Sequence, residues 1–340
     1  MGSVKDLTVL KNSTADEHGV GNFNFSDRYS VFDWGEMPDH ITNKGKALCL
    51  IGAYFFEKLE SMNIHTHYLG LVHENSVKHL SELTKPVDIM QVKLLQVLKP
   101  PVMQDAYDYS IYHNDLKNFL IPLEIIYRNA LPEGSSVFKR LNEGSLTLSE
   151  MGLNQMPVSG QILSPPILDV STKLEATDRY LSWEEAKNLA GISDDELADI
   201  KRTTLLIDEM ITEQALRIGL VQEDGKLEFG MDANRRLLLV DVLGTPDECR
   251  FAYEGIPVSK EVARIYYRKT LWYESVSQAK LKDQLNWKQH VPAPPPLPVR
   301  LHELISQLYM AFCNELTEKS WFQTPHLKDI LADIKSELAI

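Results

Sequence analysis

The chain has 340 residues, of which 44% are hydrophobic and 24% charged, ordinary globular values and enough length for about two domains with ample core. A formal net charge of -13 excludes a general binder of nucleic acid or of anionic membranes, while leaving room for an anionic small substrate in a locally basic pocket. Cys49, Cys249 and Cys313 are far apart with no CxxC pair, which argues against a disulfide framework or structural zinc and fits a reducing cytoplasm; no apolar run reaches the ~20 residues of a membrane span, and the start carries no signal-peptide pattern.

The chain opens on Val4-Lys5-Asp6-Leu7, a short strand preceded by a glycine, then a polar turn from Asn12 to Gly19 and a strand VGNFNF. Asp27-Arg28-Tyr29-Ser30-Val31-Phe32-Asp33 mixes charge with aromatics, as either an ion-paired turn or a ligand-facing loop. Lys44-Gly45-Lys46 leads into ALCLIGAYFFEKLE, whose spacing predicts a core helix. His65, His67, His73 and His79 lack a third ligand at a recognised metal spacing and read as structural. Residues 87–99 and 117–128 read as strands of the main sheet, and Pro122 in the second predicts an edge strand or a hinge between lobes.

After Arg128 comes ALPEGSSVFKR, where a Gly-Ser-Ser loop behind a guanidinium suits a phosphate: hydroxyls and backbone N–H groups ring the oxygens while arginine grips them. Leu163 to Lys173 is extended, with Pro165 and Pro166 keeping it out of a helix. Ser182 to Glu185 is a capping box for a short helix ending at Gly191, and Ser193 to Glu196 is a second one for a long helix to Ile218.

The most informative stretch runs from Lys226 to Arg250. Period-two alternation in KLEFG puts Lys226 and Glu228 on one face, and a turn centred near Asn234 returns the apolar run Leu237–Val240, which stops at Asp241. Asp241 then lies roughly opposite Glu228, and two facing carboxylates require a cation, a lysine or a proton between them. A solvated hairpin face is the plain alternative; the following TPDECR, a rigid turn ending in arginine, favours a phosphate-and-metal site. Residues 259–289 read as helix, 291–298 as a stiff proline-rich connector, and the remainder as one or two helices.

Taken in order, GSVKDL, DRYSVFD, NKGKAL, IPLEIIYRN, GSSVFKR, LSPPILDVSTK, KLEFG and VD…TPDECRF resemble the phosphoribosylaminoimidazole-succinocarboxamide (SAICAR) synthases of purine biosynthesis, over most of residues 1–290. The resemblance implies an α+β fold with a small antiparallel lobe (1–118) over a larger lobe (119–290), ATP in the cleft between them, and C-terminal helices (291–340). It implies an ATP- and Mg²⁺-dependent carbon–nitrogen ligase joining carboxyaminoimidazole ribotide (CAIR) to L-aspartate, cytoplasmic and compatible with a homo-oligomer. Carried over residue by residue, Lys5, Lys117 and Leu120 fall on the nucleotide side, and Glu228 and Asp241 match the Mg²⁺-associated acids. Arg128, Ser135, Ser136 and Arg250 match groups that hold the ribotide, Lys226 meets the reacting carboxylate, and Asp27, Arg28 and Ser30 form a substrate-side wall. Three positions depart from the pattern: Ser3 stands where a lysine is usual, Val242 where a glutamate is, and Cys249 where a serine is. The first moves the triphosphate grip onto Lys5 or toward Lys44 or Lys46. A related ligase acting on another small acid, or a nucleotide-binding paralogue without catalysis, are the two readings that compete.

Overall fold

The computed structural model describes residues 4–103, 106–283 and 286–340; Ser3 lies outside them. Strands β1 (Lys5–Lys11) and β2 (Gly19–Phe25) form the first hairpin, and α1 (Lys44–Ser61) follows as the expected core helix, buried from Lys44 to Leu59. Strands β3 (Tyr68–His73), β4 (Ser76–Lys78) and β5 (Ile89–Leu94) complete a five-stranded antiparallel sheet in the order β1-β2-β5-β3-β4. Residues 87–99 therefore supply the middle of this small sheet, not a strand of the larger one as expected, because β5 pairs with β2 and β3. A short ribbon of β6 (Val102–Met103) and β7 (Ala106–Tyr107) leads to the second sheet.

That sheet is built on β8 (Phe119–Leu131), α2 (Ser136–Glu143), β9 (Gln161–Thr172), α3 (Trp183–Ala190), α4 (Asp194–Arg217) and β10 (Val221–Met231), then β11 (Leu237–Val240), β12 (Cys249–Tyr253) and β13 (Ile256–Pro257). Its order is β13-β12-β10-β8-β9, with β11 also on β10. Pro122 sits in the central strand β8, not at an edge. The β8–β10 register shifts between Glu228 and Gly230, so the irregularity falls at the residue that has no N–H to give. Both capping boxes are partly or wholly formed: Ser182 accepts from Glu185 N–H, and Ser193 and Glu196 cap each other.

The hairpin turn closes where the spacing placed it. Glu228 pairs with Val240 and Met231 with Leu237, while Asp232 Oδ1 accepts the N–H groups of Asn234 and Arg236. On the same edge of β10, β11 covers Glu228–Met231 and β12 covers Val221–Gly225. Residues 241–248 thus leave and rejoin the sheet beside Lys226, and this crossing point is where the site forms.

The helix expected over 259–289 is split into α5 (Glu261–Arg268) and α6 (Leu271–Lys282), because the Thr270 side chain accepts from Tyr273 N–H and starts a new helix. Past the connector, α7 (Val299–Thr317) and α8 (Leu327–Leu338) pack on the body, α7 lying against α1. One large apolar core runs from Phe25 to Leu338 and joins both sheets with the C-terminal helices, with two small clusters around Val137 and Leu120 beside it. No helix among the described residues is long and apolar enough to cross a membrane.

Candidate active site

A cavity of about 660 Å³ opens between the two sheets. One wall is apolar, formed by Leu7, Val9 and Phe23 of the small sheet together with Leu94, Leu95, Leu120 and Val240. The floor is charged: Lys5, Lys93, Lys173, Glu228, Asp241 and Glu248. An apolar slot ending in lysines and carboxylates suits a planar base at one end and polyphosphate at the other.

Asp241 enters this floor by way of its backbone. At φ 61° it occupies the left-handed region, which aspartate tolerates, and its carbonyl accepts a hydrogen bond from His67 Nε2 at 2.9 Å. His67 is buried and its pKa is pushed down to about 4 by that burial, so it is a neutral structural group. Lys5 Nζ lies 2.6 Å from Asp241 Oδ1, and Lys173 Nζ bonds Glu228. Burial, then the negative charge of Asp241, raises the pKa of Glu228. For Asp241 burial pulls the same way but is outweighed by Lys5 and Lys173, which hold it below the usual carboxylate range.

Glu124 stands directly opposite Glu228 across the β8–β10 pair, and Lys226 Nζ reaches it at 2.9 Å and Glu248 at 3.7 Å. Lys173 Nζ also lies 3.7 Å from Glu124, so Glu228, Lys173, Glu124, Lys226 and Glu248 form a row of alternating charge. Beside Lys226, Gly225 is required by packing: a Cβ there would lie 2.2 Å from the Tyr127 hydroxyl and 2.8 Å from Cys249 Sγ.

Beyond the row is a second, polar cavity of about 420 Å³, lined by Arg128, Ser136, Tyr180, Lys226, Arg250 and Arg264 among others, and sharing Glu248 with the first. Arg128 is 2% exposed and points Nη2 at Asp169 (3.2 Å), Ser136 Oγ (3.3 Å) and the Tyr180 hydroxyl (3.4 Å). Arg250 is held by Asp224 through Nε at 2.8 Å. Three guanidinium groups, Arg128, Arg250 and Arg264, line this one cavity, which suits an anion. A third cavity, about 140 Å³, adjoins through the shared residues Asp247, Lys260 and Arg264 and is closed by Tyr29, Ser30, Phe32 and Asp33.

Of the residues singled out in the sequence, Lys5, Leu120, Glu228 and Asp241 meet in the first cavity and Arg128, Ser136, Lys226 and Arg250 in the second. Ser30 lines the third. Ser135 does not face a cavity wall: its hydroxyl accepts from Val137 N–H and caps α2, leaving Ser136 to face Arg128. Asp27 caps α1 by accepting from Asn43 and Gly45 N–H, and Arg28 bonds Asp6 at 2.8 Å. Lys117 is exposed and lies outside the first cavity. Lys44 is fully buried against Asp247, away from the first cavity. Glu124, Lys173, Glu248, Lys260 and Arg264 also line these cavities; Glu248 lies in the TPDECR turn, Glu124 is a lone charge inside an apolar strand, and the other three carry no local signal in the sequence.

The family model described as SAICAR synthetase matches residues 13–280. A protein of Archaeoglobus fulgidus, provisionally named as a phosphoribosylaminoimidazole-succinocarboxamide synthase, is 51% identical over 338 residues, covering 99% of this chain and all of that one. The phosphoribosylaminoimidazole-succinocarboxamide synthase of Thermoplasma acidophilum is 30% identical over 325 residues, 92% of this chain and 99% of that one. The solved SAICAR synthase of Saccharomyces cerevisiae, in complex with SAICAR, shares the fold with a TM-score of 0.65 at 20% identity, covering 95% of each chain. The chain belongs to the SAICAR synthetase family.

Proposed function

We propose that this chain carries out its family's reaction, the ATP-dependent joining of CAIR to L-aspartate, with ATP in the cavity between the sheets, the ribotide in the arginine-lined cavity and aspartate in the small third one. The observation that carries the reading is the row Glu228–Lys173–Glu124–Lys226–Glu248, which runs from the slot that fits a nucleotide into the corner that fits a sugar phosphate, with Glu248 lining both. Arg128, Ser136 and Arg250 grip the ribotide phosphate, and the ribotide carboxylate then faces Lys226. Lys5 reaches the ATP phosphates, and Leu120 packs on the base. In the small cavity Lys260 and Arg264 meet the carboxylates of aspartate, and Asp247 and Asp33 face its amine.

Glu228 and Asp241 fit a magnesium ion. They offer hard oxygen donors on adjacent strands, and the burial that makes the Glu228 charge costly is relieved by a cation. Held by Glu228 and Asp241, it would supply positive charge against the phosphates of ATP.

A carboxylate is a poor electrophile, so the ribotide carboxylate oxygen first takes the γ-phosphoryl group, forming an acyl phosphate as the bond to ADP breaks. Lys5 and Lys173 spread the developing charge. The neutral amine of aspartate then attacks the acyl carbon, the C–O bond to phosphate breaks, and the amine loses its proton as the amide forms. This second step is chiefly positioning. The test is ADP release by the purified chain. Release that requires both CAIR and L-aspartate is the expected result; release with a different acid, or nucleotide binding without turnover, contradicts the reading.

A further inference from the structure

The segment matched by the family model ends at residue 280, yet α7, which begins at Val299, reaches into the wall of the site. Its Tyr309 is 1% exposed and donates its hydroxyl to Asp247 Oδ1 at 2.6 Å. The other oxygen of that carboxylate takes Lys44 Nζ at 2.6 Å, and the Asp247 carbonyl accepts from Lys260 Nζ at 2.9 Å. One residue of the crossing loop thus ties together α1, the approach to α5 and α7. Tyr309 lines none of the three cavities, so whatever it does for the reaction it does through Asp247.

We propose that Tyr309 is a positioning residue: its hydrogen bond fixes Asp247, and with it Lys260, in the geometry that receives L-aspartate. This rests on the assignment of the small cavity to aspartate. Asp247 is 8% exposed, so losing a donor leaves a buried carboxylate oxygen seeking another, and the loop that also carries Glu248 and Arg250 is free to shift. The ring of Tyr309 packs independently of its hydroxyl, so Tyr309→Phe removes the bond while keeping the volume.

The experiment is steady-state kinetics on the full chain. Tyr309→Phe is expected to raise KM for L-aspartate about tenfold while leaving KM for ATP nearly unchanged and the fold intact by circular dichroism. Combined with Asp247→Asn it is expected to cost no more than Asp247→Asn alone, since both act on one interaction. Ser306→Ala, which removes only the bond from α7 to the Thr42 carbonyl, is expected to leave the aspartate KM at its parent value. Parent KM in Tyr309→Phe, independent multiplication of the Tyr309 and Asp247 effects, or an equal rise in Ser306→Ala each overturns the positioning role. Lys260→Met separates the two claims. Unchanged aspartate KM in that variant overturns the assignment of the small cavity and the proposal with it, whereas a raised KM there beside parent values in Tyr309→Phe overturns the proposal alone.

Discussion

Glu228 and Asp241 sit in one cavity with opposite tendencies: burial and the charge of Asp241 raise the pKa of the first, while Lys5 and Lys173 hold that of the second below the usual carboxylate range. Each carboxylate is paired with a lysine, Glu228 with Lys173 and Asp241 with Lys5. Replacing Glu228 by Gln or Asp241 by Asn is expected to lower kcat by about 10³-fold or more, with circular dichroism and the folding midpoint near parent values. Full activity in either variant refutes their role. Arg250 acts differently, because Asp224 pre-orients its guanidinium at the cavity wall. Arg250→Ala is expected to raise KM for the ribotide about 10- to 100-fold with a smaller change in kcat, as for loss of a charge-assisted contact made equally before and during reaction; an unmoved ribotide KM contradicts it. The chemistry of these three residues was readable in the sequence, since carboxylates and arginine in an apolar hairpin demand partners. Their actual partners were not: Lys173 and Glu124 come from strands far off in the chain, and no local spacing encodes that meeting.

At the scale of the element, caps and periodicity did most of the specifying. Ser193 and Glu196 define the start of α4, and the symmetry of the turn at Asn234 fixes the β10–β11 register. What stayed hidden was tertiary choice: the sheet joined by β5, the central place of Pro122, and the break at Thr270, where one hydroxyl outweighs continuous helical periodicity. Helix α4 also carries Asp208 against the sheet, 3% exposed, with Asn129 donating to it at 2.7 Å. Burial raises its pKa to about 6. Between the unfolded value near 3.9 and that folded value, the native state keeps a proton that the unfolded chain has lost, so this group's contribution to stability falls as pH rises through the window. Asp208→Asn removes that dependence. Its stability relative to the parent, measured by urea unfolding, is therefore expected to improve by about 2 kcal/mol from pH 4 to pH 7; a difference that is flat with pH contradicts the buried, proton-retaining state.

Across the whole molecule, two antiparallel sheets face each other over a slot, and the strand switch on β10 sets a charged row between that slot and an arginine-rich corner. The C-terminal helices close the same core and reach the row through Tyr309 and Asp247. An acidic protein thereby gathers Arg128, Arg250 and Arg264 around one cavity, an arrangement that suits a multiply anionic ligand. The most direct measurement is a crystal structure of this chain with Mg²⁺·ADP and SAICAR. The account predicts the nucleotide between the sheets with its phosphates at Lys5, Glu228 and Asp241, and the ribotide phosphate on Arg128, Ser136 and Arg250. Nucleotide bound elsewhere, with those two acids still turned to their lysines, would contradict it.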